Sequence, residues 1–320
     1  MLILIFVLWA ITALTFPIGK IALRMASSPL QLLGLRMTVA GILLLAWSGY
    51  KNMRSQQSVR FRCPSKFEFF LLLQVTLFHV YLAFVPEFWA LQFVDSIKAN
   101  LLFSLSPFAS AVLSALLLNK TLSKKKLLGL TFGGFGMLCI IMTQNVGEVV
   151  FGAWYRLSLP EAVLLLGVLS SCYAWFVIRR LLHAGYQLQT INGIAFFGGG
   201  LLCWLQYFYL SGSRATLLPT TGTPLFLLLI GLLIFGSNII SYNLYGLLLK
   251  RHSNTFVSLT GFLCPVFGMV YSRLFARYFP QYFASELISP WYLGGLSTIV
   301  IGLIIFYGQE ALEENVGFFN

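Results

Sequence analysis

Charge of either sign is scarce in this 320-residue chain: Asp, Glu, Lys and Arg together make up 9% of it. Acid is the scarcer sign, with nine residues in all and Asp95 the single aspartate. One aspartate cannot form an intramembrane aspartyl dyad. Nor is there an HExxH pair to hold zinc, or a Gly-rich phosphate loop to hold a nucleotide, so peptidase and ATP-driven pump chemistry find no support. Cys63, Cys139, Cys172, Cys203 and Cys264 stand singly, with no CxxC and four of the five inside apolar runs. They read as small core hydrophobes, neither a disulfide framework nor a zinc site. We therefore expect no enzyme activity, no cofactor and no metal.

What the chain does have is apolar surface, at 58% hydrophobic residues. A soluble domain is roughly a quarter charged and could not hide so much of it. In lipid every backbone polar group must be satisfied internally, which leaves helices or closed barrels. The apolar runs are long and do not alternate, so the expected fold is an all-α polytopic membrane protein. The formal charge of +12 sits in the short gaps between apolar runs. That distribution is a topogenic signal of an inner membrane and argues against nucleic acid as a partner.

A spanning helix needs roughly 20 apolar residues. Ten candidates follow: 1–23, 29–50, 67–92, 96–119, 125–144, 158–182, 187–211, 223–249, 254–277 and 289–309. Candidates 3 and 8 are over-long, which implies tilt or a helical extension. The apolar N-terminus lacks a basic leader and is expected to be a retained first helix. Every loop is short, so no soluble domain is expected. Basic residues concentrate after helices 2, 4, 6 and 8, as in Lys51, Arg54, Lys66, Lys120, Lys124–Lys126, Arg179, Arg180, Lys250 and Arg251. This bias places both termini in the cytoplasm.

The two halves of the chain resemble each other. Pro107 in the middle of helix 4 and Pro265 in the middle of helix 9 are 158 residues apart, and nearly the same offset pairs Gly41 with Gly198 and Lys20 with Arg179. Gly129 and Gly136 of helix 5 repeat as Gly295 and Gly302 of helix 10, displaced by about eight extra residues near Tyr278–Ser285. Two five-helix repeats must insert in opposite orientations, an arrangement that puts a binding site near the midplane. The expected units are a first repeat over 1–145, a linker at 146–157, a second repeat over 158–309 and a cytoplasmic tail at 310–320.

Leu8-Trp9-Ala10 leading to Lys20, Leu35-Arg36, Ala90-Leu91, Ser96 through Pro107, and Glu286, Ser289, Gly295 and Gly302 carry a resemblance in their order and spacing. With them the whole chain resembles the EamA-like members of the drug/metabolite transporter superfamily. It departs from them at Asn119-Lys120, where the family usually has Gly-Glu. The resemblance implies a secondary transporter whose central cavity is lined mainly by helices 1, 3, 4, 6, 8 and 9.

Ionisable groups inside a span are functional suspects. Glu87 stands at helical spacing from His79, with Ala83 between, an acid and an imidazole suited to a substrate amine or a proton relay. Arg36, in helix 2, is placed either to clamp a carboxylate or to tie helices together. Lys20 attracts an anion or snorkels to the interface. Asn238, Tyr242 and Tyr245 form a polar stripe in helix 8 beside Asn243, and the repeat offset matches Tyr242 with Phe84 and Tyr245 with Glu87. Asn100 and Ser104 of helix 4, Tyr173 and Trp175 of helix 6, and Trp9 of helix 1 complete the candidates, with helix–helix hydrogen bonding the alternative for Asn and Ser.

The expected partners are the lipid bilayer and a small-molecule substrate, with the chain a monomer or homodimer. Aromatic content of 16% suits a flat ring or a cation, and two basic groups with one acid suit a zwitterion. An amino acid or S-adenosylmethionine fits both, and some bacterial members of the superfamily exchange S-adenosylmethionine for S-adenosylhomocysteine. Amino-acid or drug export, and a channel, are the competing readings.

Overall fold

The computed structural model describes residues 2–54, 64–94, 96–118, 123–144, 158–219, 222–279, 294–295, 297–302 and 304–306. The expected linker 146–157, the tail 310–320 and much of the tenth candidate span lie outside these residues, as do Lys120, Glu286 and Ser289. No strand occurs among the described residues. Among the described residues, which are all-helical, seven helices are long and apolar enough to cross a membrane, and the chain is a multi-pass membrane protein.

The helices are α1 (Leu2–Met25), α2 (Pro29–Arg54), α3 (Lys66–Ala90), α4 (Ser96–Phe103 and Ser106–Leu118), α5 (Lys124–Gln144), α6 (Leu159–His183), α7 (Leu188–Ser211), α8 (Thr223–Leu249) and α9 (Asn254–Leu259, Thr260–Leu263 and Cys264–Tyr278). The two over-long helices share an irregularity. Val75–Tyr81 in α3 and Leu233–Ser241 in α8 are π-helical, and their first residues are 158 apart. Helices α4 and α9 are both broken at mid-length, by a turn at Ser104–Leu105 and by a 3-10 segment at Thr260–Leu263.

A proline follows each break by two residues, Pro107 in α4 and Pro265 in α9, and a third, Pro17, lies within α1. Proline lacks an N–H and its ring crowds the carbonyl four residues earlier, so that carbonyl loses its helical donor. Pro17 frees the carbonyl of Ala13, to which Asn100 Nδ2 of α4 donates at 3.4 Å. Pro265 cannot serve the Gly261 carbonyl, which accepts instead from the Cys264 N–H of the 3-10 turn and, at 3.5 Å, from Ser104 Oγ of α4. Both side chains come from α4, where Asn100 Nδ2 also donates to the Ser96 carbonyl at 3.2 Å and Ser104 Oγ to the Asn100 carbonyl at 2.8 Å.

Close packing rests on missing side chains. Helices α2 and α7 lie against each other along their length. A Cβ at Gly41 would fall 2.4 Å from the backbone nitrogen of Phe197, and one at Gly200 would fall 2.5 Å from Thr38 Oγ1. The matched glycines of the two halves meet one another: a Cβ on Gly129 would strike the Gly302 carbonyl at 2.8 Å, and one on Gly136 would strike the Gly295 carbonyl at 2.4 Å. A swap of halves maps one contact onto the other, as in a two-fold interface. Gly41→Ala is expected to lower stability by about 2 kcal/mol through overpacking against backbone, read as a fall in thermal midpoint; an unchanged midpoint would mean that α2 and α7 part there freely.

Candidate functional site

Five helices converge on one cavity whose wall is largely apolar and aromatic, with a few polar groups. Its wall comprises Leu8, Trp9, Thr12, Thr15 and Phe16 of α1, Phe84 and Glu87 of α3, Phe103 of α4, Ser171 and Trp175 of α6, and Ser237, Ser241, Tyr242 and Tyr245 of α8. Its interior volume is about 40 Å³, far below the roughly 300–1,000 Å³ of an occupied small-molecule site, so its walls must part to admit a metabolite. Its aromatic side is ordered. The Trp175 ring stacks on Tyr245 with centroids 4.1 Å apart and on Tyr242 at 5.6 Å, and Trp9 meets Tyr245 edge-on at 6.1 Å. Hydrogen bonds fix the outer rings: Trp9 Nε1 donates to Thr260 Oγ1 at 2.6 Å, and the Tyr245 hydroxyl pairs with Ser258 Oγ at 2.9 Å. Helix α9 thus braces the wall from behind.

Glu87 is the acid of this wall. It stands where α3 is regular again beyond its π segment, and within electrostatic range of Arg36 and Tyr242. Arg36 is fully buried just behind Phe84 and Ser237. Its Nε donates to Asn238 Oδ1 at 2.7 Å, its Nη2 donates to Ser237 Oγ at 2.9 Å, and its guanidinium carbon lies 5.1 and 5.3 Å from the Phe84 and Phe88 ring centroids. Nη1 has no acceptor among the described residues. A buried guanidinium N–H without an acceptor is unusual and points to a missing partner.

Of the residues singled out by sequence, Trp9, Phe84, Glu87, Trp175, Tyr242 and Tyr245 are brought together on the wall. Arg36 and Asn238 form the layer behind it. His79, in the π segment of α3, is not among the residues that line the cavity. Its ring is fully buried, edge-on to Trp175 at 4.7 Å and to Tyr242 at 4.8 Å, so it supports the wall without joining it. Lys20 Nζ donates to the Val94 carbonyl at 3.0 Å. Asn100 and Ser104 bond backbone carbonyls of their own helix and of α1 and α9. The Tyr173 hydroxyl donates to Gln74 Oε1 at 3.2 Å, and Asn243 Nδ2 donates to the Ile239 carbonyl at 2.6 Å on a separate outer groove.

Sequence reasoning passed over Thr12, Thr15, Phe16, Phe103, Ser171, Ser237 and Ser241. Leu8, Thr12 and Thr15 do recur at helical spacing, a signal that was available. The hydroxyls of Thr12 and Thr15 bond back to the carbonyls of Leu8 and Ile11, which lets them sit in an apolar run unremarked.

A solved crystal structure superposes on the chain with a TM-score of 0.67 over 98% of both chains at 18% identity, a likeness of fold. Two curated proteins are similar over nearly the whole length. One from Chlamydia muridarum (strain MoPn / Nigg) is 31% identical over 96% of this chain and 91% of its own length; one from Chlamydia trachomatis serovar L2 is 30% identical over 96% and 89%. Both are named S-adenosylmethionine/S-adenosylhomocysteine transporter. Residues 1–142 match the EamA-like transporter family. With that match over the first part and whole-length likeness to transporters beyond it, the chain belongs to the EamA-like transporter family.

Proposed function

We propose that this chain exchanges S-adenosylmethionine for S-adenosylhomocysteine across a bacterial inner membrane by alternating access, with the central cavity as the substrate site. The observation that carries the reading is a set of stacked aromatic rings around one carboxylate, with a buried arginine that still lacks one acceptor. Each part suits one part of the ligand. The faces of Trp175, Tyr242 and Tyr245 accept an adenine ring by stacking and a sulfonium by cation–π attraction. Glu87 takes the amino acid's ammonium. Arg36 takes its carboxylate through Nη1 once Phe84 turns aside, and keeps its bonds to Ser237 and Asn238. The names of the chlamydial relatives support the same substrate pair.

The proposal includes ten spans, arranged as inverted repeats over 1–145 and 158–309. The matched π segments, the matched breaks at Pro107 and Pro265, and the reciprocal glycine contacts support it. The basic bias of the loops puts both termini in the cytoplasm. In this frame α3 and α8 are equivalent, and each presents a cavity residue at the same step, Glu87 in one and Tyr245 in the other.

Reconstituted in vesicles, the protein is expected to take up labelled S-adenosylmethionine saturably and several-fold faster when S-adenosylhomocysteine is loaded on the opposite side. Uptake indifferent to the opposite side would remove exchange. Conductance without saturation would make the chain a channel.

A further inference from the structure

A second cavity lies between α4, α6 and the start of α9, away from the central one. Its volume is about 330 Å³, and Ser114, Arg179, Arg180, His183, Ser253 and Asn254 supply its polar groups. No described lining residue is acidic. Arg179, Arg180 and His183 occupy little more than one turn of α6, so their heads gather at one end of the helix. Asn254 is buried, and its Oδ1 accepts from Arg179 Nη1 at 3.2 Å. Its Nδ2 has no acceptor among the described residues. The arginine is thus held by the amide's oxygen while the amide's nitrogen still needs an acceptor, a combination that asks for an oxyanion.

The partition between the two cavities is thin and specific. Phe176 lines this one and its neighbour Trp175 lines the other. Between them Ser110 Oγ pairs with Ser258 Oγ at 2.7 Å, and Ser258 Oγ pairs with the Tyr245 hydroxyl at 2.9 Å. Tyr245 is therefore at once part of the central aromatic wall and the end of a hydroxyl chain whose serines stand one helical turn from Ser114 and Asn254 of the basic cavity.

We propose that the cavity between α4, α6 and α9 is a second binding station, an oxyanion site that holds the substrate's carboxylate on its way between the cytoplasm and the central cavity. This rests on the transport reading above and on its orientation, which puts the Arg179–Arg180 end of α6 on the cytoplasmic side. Arg180 is exposed and supplies capture, whereas Arg179 and Asn254 supply a fixed seat. The Ser110–Ser258–Tyr245 chain runs between the two stations.

The test is sidedness. Full-length protein is reconstituted in one orientation into vesicles of phosphatidylcholine, with and without phosphatidylglycerol, and S-adenosylmethionine is presented to either face. Losing one charge-assisted contact is expected to raise KM at the cytoplasmic face about tenfold in Arg180→Gln. KM at the opposite face and kcat stay as in the unaltered protein, and Arg180→Lys recovers part of the loss. The same sided shift is expected in both lipids. A KM unchanged at the cytoplasmic face, or shifted equally at both faces, would overturn the second station. A shift confined to vesicles with phosphatidylglycerol would hand the site to a lipid phosphate, and overturn it too. Exchange by the unaltered protein with no effect of the variant sinks this inference alone; no exchange by the unaltered protein sinks the transport reading and this with it.

Discussion

Exchange by the Glu87→Gln protein is expected to fall at least about 100-fold in kcat/KM, with the thermal midpoint within a few degrees of the unaltered chain. Glu87 is the one acid among the residues that line the central cavity. An ammonium leaving water for that site loses its hydration, and only a fixed negative charge compensates for it. Removing one partner from a desolvated charge pair costs about 2–5 kcal/mol, which converts to losses of tens to thousands of fold. Glutamine keeps the volume and a polar tip, so the close approach of α6 beside it, where a Cβ on Gly167 would lie 2.7 Å from the Ala83 carbonyl, is undisturbed. Rates equal to those of the unaltered protein would take Glu87 out of the site.

Arg36→Gln is expected to cost a similar factor, but for one class of ligand. The substrate with its carboxylate should lose about 100-fold in kcat/KM, because a charge-assisted contact in a low-dielectric setting disappears. An S-adenosylmethionine analogue lacking that carboxylate should be carried by the variant and the unaltered protein at comparable rates. Arg36 also ties α2 to α8 through Ser237 and Asn238, so a purely structural role would depress both ligands alike. That outcome, measured in the same vesicles, would assign Arg36 to the scaffold.

The helices were legible because apolar runs and the prolines, glycines and basic clusters between them are local signals. The limits of α2, α5, α6, α7, α8 and α9 fall within a few residues of those expected. Part of the aromatic wall was legible too: Tyr173 and Tyr242 lie too deep in their runs for an interfacial belt, and Tyr242 lines the cavity whereas Tyr173 bonds Gln74. Sequence periodicity assumes 3.6 residues per turn, whereas hydrogen bonds from i to i+5 govern Val75–Tyr81 and Leu233–Ser241, a departure that apolar patterning does not reveal. His79, within the first of these segments, packs on Trp175 and Tyr242 and stays off the cavity lining. Asn100 and Ser104 drew notice because a buried amide or hydroxyl looks the same in sequence whether it awaits a ligand or bonds a backbone carbonyl.

The side-chain bonds between α1, α4 and α9 bear on how the molecule moves. Asn100 on Ala13, Ser104 on Gly261 and Trp9 on Thr260 lash α1, α4 and α9 into a single raft. Cross-helix hydrogen bonds within a bilayer average about 0.6 kcal/mol each, so tearing all three costs about 2 kcal/mol, a population penalty of up to roughly thirtyfold. A turnover that leaves the raft whole avoids that penalty in every cycle. The give must then come from the neighbours that lean on it, α3, α6 and α8.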